Sequence, residues 1–72
     1  MYETAKLRGR IVEKCGSQAK FAEKADCSLS YLSQYLNGKK KLKQPTMDKW
    51  IEVLDIPPTE IYDYFFKKKV VD

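Results

Sequence analysis

The stretch Ser17-Gln18-Ala19-Lys20-Phe21-Ala22-Glu23-Lys24-Ala25-Asp26-Cys27-Ser28-Leu29-Ser30-Tyr31-Leu32-Ser33-Gln34-Tyr35-Leu36-Asn37-Gly38 reads as two short helices with a single break. Ser17 is a favourable N-cap, and Phe21, Ala22 and Ala25 recur at helical spacing to face inward. Asp26-Cys27-Ser28 interrupts the pattern with turn-prone residues, and Ser28 caps a second helix running from Leu29 to about Asn37. On that helix Leu32 and Leu36 lie four apart, as do Tyr31 and Tyr35, which read as core or rim packing. Asn37-Gly38 tolerates positive φ and ends it. Two helices joined by a turn of about three residues form a helix-turn-helix unit. Such a unit needs a small residue where the helices cross, met by Ala22, and an apolar plug after the turn, met by Cys27. Its second helix needs one apolar face, supplied by Leu32 and Leu36, and one face of short polar side chains. Ser30, Ser33, Gln34 and Asn37, with Leu29 at the N-terminal end, supply the latter.

Outward from this unit the chain continues helical. Leu7, Ile11 and Cys15 fall at i, i+4, i+8, with Val12 beside them, and predict a first helix over about Thr4 to Cys15. Gly9 lies inside that helix, where glycine costs up to about 1 kcal/mol relative to alanine. It is either a tolerated glycine or a point of close approach by a neighbouring helix or by DNA. Gly16 follows as the left-handed stop. Beyond Asn37-Gly38 comes a basic loop, Lys39-Lys40-Lys41-Leu42-Lys43. Gln44-Pro45 opens a fourth helix, whose Met47, Trp50, Ile51 and Leu54 give the clearest amphipathic pattern in the chain. Pro57-Pro58 breaks it, and Pro58 starts a fifth helix through about Phe66, with Ile61, Tyr64 and Phe65 inward. The expectation is an all-α, compact five-helix bundle: one domain over residues 1–66 and a basic C-terminal tail over 67–72.

The chain has 72 residues, 14 Lys and Arg against 10 Asp and Glu, and a formal net charge of +4. The distribution is uneven. Residues 1–43 carry ten bases against four acids, a net +6, whereas residues 44–66 carry one base against five acids, a net −4. One part of the molecule should attract a polyanion and another repel it. There is no histidine, which removes the usual general base, the usual zinc ligand and the familiar triads. The three glycines are far apart and form no phosphate loop. Catalytic residues, metal ligands and cofactors are not expected, and the chain is not expected to be an enzyme. Cys15 and Cys27 form no C-x-x-C pair and read as reduced thiols. No apolar run approaches the roughly 18 residues of a membrane span. A cytoplasmic location follows as the expectation.

The run Ser17-Gln18-Ala19-Lys20-Phe21-Ala22, then Ser28, Leu32-Ser33 and Asn37-Gly38-Lys39, resembles the Cro/repressor helix-turn-helix family of temperate phages. The wider frame is similar to a branch of short Cro-like proteins in phages of Gram-positive bacteria. It comprises Leu7-Arg8-Gly9-Arg10-Ile11, Gly16-Ser17-Gln18, Leu36-Asn37-Gly38-Lys39, Gln44, Ile61 and Tyr64-Phe65-Phe66. Asp26 departs from the family pattern by standing where glycine is common, so the turn must place an aspartate at positive φ. Leu29 departs by standing at a position usually polar in DNA readers.

The resemblance implies a transcriptional regulator of a phage lysis/lysogeny switch in a bacterial host, with the third helix in the major groove of a double-stranded operator. On that pattern Leu29, Ser30, Ser33 and Gln34 reach base edges; Gln34 pairs bidentately with adenine, and Leu29 meets a thymine methyl. Ser17, Gln18, Asn37, Lys39, Lys40, Lys41 and Lys43 contact phosphates. Paired half-sites imply a homodimer on DNA. The alternative partner is the cognate phage repressor, bound by an antirepressor-like protein that changes its DNA occupancy. Leu29 and the aromatic segment Tyr62-Tyr64-Phe65-Phe66 are the candidate surfaces for that role, unless Tyr62 through Phe66 simply close the core.

Overall fold

Helix ends, more than helix interiors, shape this chain. In the computed structural model, which describes residues 2–68, α1 spans Ala5–Cys15, α2 Gln18–Lys24, α3 Leu29–Leu36, α4 Gln44–Leu54 and α5 Ile61–Phe65, with a 3₁₀ turn at Pro58–Glu60. The fold is all-α with five helices, as expected from the sequence. Among the described residues the only extended pairing is one antiparallel bridge between Tyr2 and Lys68. The Glu3 amide donates to the Lys67 carbonyl at 2.7 Å beside it. The beginning of the expected 67–72 tail is thus tied to the N-terminal segment; residues 69–72 lie outside the described residues.

Four helices stop on a residue at positive φ: Gly16 (88°), Asp26 (56°), Gly38 (77°) and Asp55 (53°). Each follows the last turn and lets the chain reverse while satisfying carbonyls that the helix leaves free. Gly16 N–H donates to Val12 O, Cys27 N–H to Ala22 O, Lys39 N–H to Gln34 O and Ile56 N–H to Ile51 O. Asp26 takes the left-handed conformation the sequence demanded of it. Two serines cap α2 and α3 as expected. Ser17 Oγ accepts from Lys20 N–H at 3.1 Å, and Ser28 Oγ accepts from Tyr31 N–H at 3.0 Å. The fifth helix, expected to start at Pro58, opens there as a 3₁₀ turn over Pro58–Glu60 and becomes α-helical only at Ile61.

The core is drawn from every helix. Leu7, Ile11, Cys15, Phe21, Leu32, Tyr35, Leu36, Trp50, Leu54, Tyr64 and Phe65 are buried, and Ala22 and Ala25 with them. Met47, Ile51, Ile61 and Cys27 pack partly buried against this cluster. Ile56 and Leu42, both outside helices, also join it. Val12 does not. It is 54% exposed, because the α1 stripe through Leu7, Ile11 and Cys15 is already filled by α2, α4 and α5.

Two arginines of α1 cap other helices. Arg10 Nε donates to Leu54 O at 3.0 Å and its Nη2 to Asp55 O at 2.9 Å. Arg8 Nη2 donates to Leu36 O at 3.0 Å, beside Thr4 Oγ1, which donates to the same carbonyl at 3.1 Å. A guanidinium at a helix C-terminus answers both the unpaired carbonyls and the negative end of the dipole, worth roughly 0.3–2 kcal/mol. Neither arginine is therefore a free cation, which corrects the surface count taken from the sequence.

Gly9 lies on the exposed side of α1, and a Cβ built there meets nothing within 4 Å. The close-approach reading of this glycine is excluded within the monomer. Gly9→Ala should raise stability by up to about 1 kcal/mol, seen as a higher Tm; a lower Tm would show an unmet steric demand.

Burial pushes the Cys27 thiol pKa up, opposed by the Trp50 indole N–H and reinforced by the Asp26 carboxylate. Burial likewise raises Tyr35, with Tyr2 and Tyr31 adding to the rise. Both groups fold best in their neutral forms. Their contribution is complete below the unfolded pKa values, about 8.5 for a thiol and 10 for a phenol, and is lost as pH rises through the raised folded values. Denaturant unfolding between pH 8 and 11 should show stability falling, and Tyr35→Phe should lessen the fall. An unchanged pH slope in that variant would contradict this assignment.

Candidate nucleic-acid interface

On α3, Tyr35, Leu32 and Leu36 turn into the core, with Tyr31 partly buried beside them. The 3.6-residue period then puts Leu29, Ser30, Ser33 and Asn37 on the outside, with Gln34 partly buried at the edge of that face. Two hydrogen bonds run along it at i, i+4 spacing. Gln34 Nε2 donates to Ser30 Oγ at 3.3 Å, and Asn37 Nδ2 donates to Ser33 Oγ at 3.4 Å. The four polar side chains expected at base edges and at the backbone are thus neighbours on one ridge. Leu29, 47% exposed, stands at its N-terminal end.

The basic loop is attached to this helix. Lys39, Lys40, Lys41 and Lys43 are exposed, while Leu42 between them packs against the core. Tyr31 Oη donates to the Lys41 carbonyl at 3.3 Å, and Lys40 Nζ stands 6.0 Å from the Tyr31 ring centre, at the outer limit of a cation–π contact. Leu42 and Tyr31 therefore hold the loop while its ammonium groups stay in water. Ser17 and Gln18 stand partly buried at the start of α2, which packs against α3. The Ser17 oxygen already accepts from Lys20 N–H, leaving its O–H as a donor.

The sequence reading missed Arg8 and Tyr31 as parts of this site. Arg8 Nη2 donates to Asn37 Oδ1 at 3.3 Å as well as to Leu36 O, so the end of the ridge is held from α1. The spacing Thr4–Arg8, one helical turn, was the available signal: Arg8 Nε donates to Thr4 Oγ1 at 3.3 Å. The aromatic segment near the C-terminus divides. Tyr64 and Phe65 close the core, whereas Tyr62 (63% exposed) and Phe66 (41%) face solvent. Phe66 meets Tyr2 edge to face at 6.3 Å.

The acidic side is equally ordered. Lys6 Nζ lies 3.7 Å from both Glu60 and Asp63 and 4.8 Å from the Tyr64 ring centre, tying α1 to α5. Among the described residues no three His, Cys, Asp or Glu side chains gather as a metal site. No described helix is long and apolar enough to cross a membrane. A hollow of about 370 Å³ opens beside the N-terminus of α3, lined by Cys27, Ser28, Tyr31, Lys43 and Thr46.

The fold is shared with a known phage protein. The solution structure of the modulator of repression (MOR) of the temperate bacteriophage TP901-1 from Lactococcus lactis is similar to this chain. The TM-score is 0.80 and the identity 38%, over 97% of this chain and 95% of that one. No curated protein matches the chain. The family described as "Protein of unknown function (DUF739)" matches residues 1–68. With that match over nearly its whole length, the chain belongs to the DUF739 family.

Proposed function

We propose that this chain is a regulator of repression in a temperate phage, and that it acts by binding double-stranded DNA with α3 in the major groove. One observation carries the reading: exposed Ser30, Ser33 and Asn37, with partly buried Gln34 at their edge, form a hydrogen-bonding ridge that runs directly into four exposed lysines. A helix of this width fits the major groove, and short polar side chains reach base edges without forcing the backbone away. Gln34, its amide steadied by Ser30, pairs with adenine N6 and N7. Leu29 covers a thymine methyl, and Ser30 and Ser33 donate to or accept from nearby edges. Lys39, Lys40, Lys41 and Lys43, with Asn37, Ser17 and Gln18, hold the phosphates on either side. One protomer offers too small a contact for tight specific binding, so two protomers act on paired half-sites. The similarity to a protein named as a modulator of repression supports the regulatory role.

Affinity for duplex DNA should fall steeply with salt, by about 0.9 logarithmic units per tenfold rise in salt for each phosphate contacted. With four lysines engaged, a fourfold rise in salt weakens each protomer's binding roughly a hundredfold. Gln34→Ala should cost about 1–3 kcal/mol on the preferred duplex and little on random sequence. A salt-independent titration, or equal loss on both duplexes, removes this reading or Gln34's part in it.

A second reading is that the same face binds the cognate phage repressor and changes its DNA occupancy. The observation favouring it is Leu29, a large apolar side chain left 47% exposed at the head of a polar ridge, as a protein interface would use it. The name of the similar phage protein supports it as well. Mixing the chain with the repressor encoded beside it and measuring mass should give a heterocomplex that Leu29→Lys weakens at least tenfold. Two unmixed species at micromolar concentration exclude the complex.

A further inference from the structure

We propose that Arg8, which touches no ligand itself, sets the base selectivity of the α3 ridge by locking Asn37 and, through it, the direction in which Ser33 offers its hydroxyl hydrogen. This rests on the duplex-DNA reading above. Arg8 belongs to α1 and is partly buried against the end of α3. Its Nε donates to Thr4 Oγ1 at 3.3 Å, and its Nη2 donates to Leu36 O at 3.0 Å and Asn37 Oδ1 at 3.3 Å. A guanidinium has donors only, and an asparagine amide has one accepting and one donating end. Facing Arg8, the amide must present Oδ1, since the flipped amide would set N–H against N–H. Its Nδ2 is then turned toward Ser33, where it donates to Oγ at 3.4 Å. With one lone pair of Ser33 so occupied, the side chain keeps its hydroxyl hydrogen and one lone pair, so its balance shifts from accepting toward donating.

An outward donor at this position favours an acceptor on the groove edge, a purine N7 or guanine O6, over the N–H groups of cytosine or adenine. Arg8 therefore influences which base is accepted from a position that never meets the duplex. Its Nε and Nη2 are engaged by Thr4, Leu36 and Asn37, and a phosphate contact through Nη1 is told apart by the salt slope. Lysine cannot replace it: an ammonium keeps the charge but loses the planar fork that serves Thr4, Leu36 and Asn37 together.

The test uses the full chain and two probes: the duplex enriched by the wild-type protein from a randomised library, and a scrambled duplex of the same composition. Measurements are made well below the Tm of the least stable variant. Arg8→Lys should bind the enriched duplex about three- to tenfold more weakly, bind the scrambled duplex within twofold of wild type, and keep the wild-type salt slope. Asn37→Ala and Ser33→Ala should lose the same selectivity, and Arg8→Lys should add nothing to either, since coupled residues are non-additive.

Additive losses, or an unchanged ratio between the two duplexes, overturn the proposal. Equal loss on both duplexes with the salt slope shallower by about 0.9 makes Arg8 a phosphate contact and overturns it too. A wild-type protein that enriches no duplex refutes the DNA reading itself and the selectivity claim with it. The locking is read separately without DNA. The Asn37 side-chain amide should be rigid in ¹⁵N relaxation of the free wild-type protein and mobile in Arg8→Lys, and equal mobility in both removes the Arg8–Asn37 link.

Discussion

The structure depends on the indole of Trp50. It is completely buried and receives three aromatic rings at steep angles: Phe21 of α2 at 5.3 Å, Tyr35 of α3 at 5.4 Å and Tyr31 of α3 at 6.2 Å between ring centres. Edge-to-face contact sets the positive rim of one ring against the negative face of another, worth about 0.5–1.5 kcal/mol a pair beyond the burial itself. The consequence is geometric as much as energetic. Because one residue of α4 holds both α2 and α3, their mutual angle is fixed from below. Once Tyr31 and Tyr35 are turned toward Trp50, helical periodicity leaves Ser30, Ser33 and Asn37 nowhere but outside. The indole N–H meets no acceptor in hydrogen-bond geometry, although it lies close enough to the Cys27 thiol to hold down the rise of its pKa.

The second constraint is the division of the cations. The chain has only two arginines, and both leave α1 to cap the carbonyl ends of α3 and α4. The lysines behave differently. Apart from Lys6, which joins Glu60 and Asp63, those of the 39–43 loop keep their ammonium groups exposed. A planar fork of donors suits convergent carbonyls, whereas a strongly hydrated ammonium on a flexible stem suits a loosely ordered anion. The positive character of the α3 side therefore rests on lysines alone.

Much of this was legible in the residues. Ser17 and Ser28 as caps, Gly16 and Gly38 as stops, Asp26 at positive φ and the inward stripe of Met47, Trp50, Ile51 and Leu54 all follow from local rules of capping and periodicity. The outward ridge of Ser30, Ser33 and Asn37 follows from the same rules, since the complement of an apolar face is exposed. The exceptions have a common character. Leu42 and Ile56 are apolar residues in segments without a period, so nothing local marks them as buried. Val12 and Gly9 lie on a helix whose exposed arc depends on how many neighbours surround it. Tyr62 and Phe66 share a short aromatic run with Tyr64 and Phe65, and five residues of helix are too few to show which pair faces in.

The sequence by itself determined, for the first four helices, about where each begins and ends and which side of it is apolar, because caps, left-handed stops and 3.6-residue spacing act within a few residues of one another. Only the tertiary structure decided what the two arginines do. A helix leaves its last carbonyls unpaired whatever follows, and a donor for them has to arrive from another element. Arg8 and Thr4 reach Leu36, and Arg10 reaches Leu54, across separations that no local pattern records. The charge that the sequence offers to solvent is thereby withdrawn into the frame that holds the α3 ridge in place.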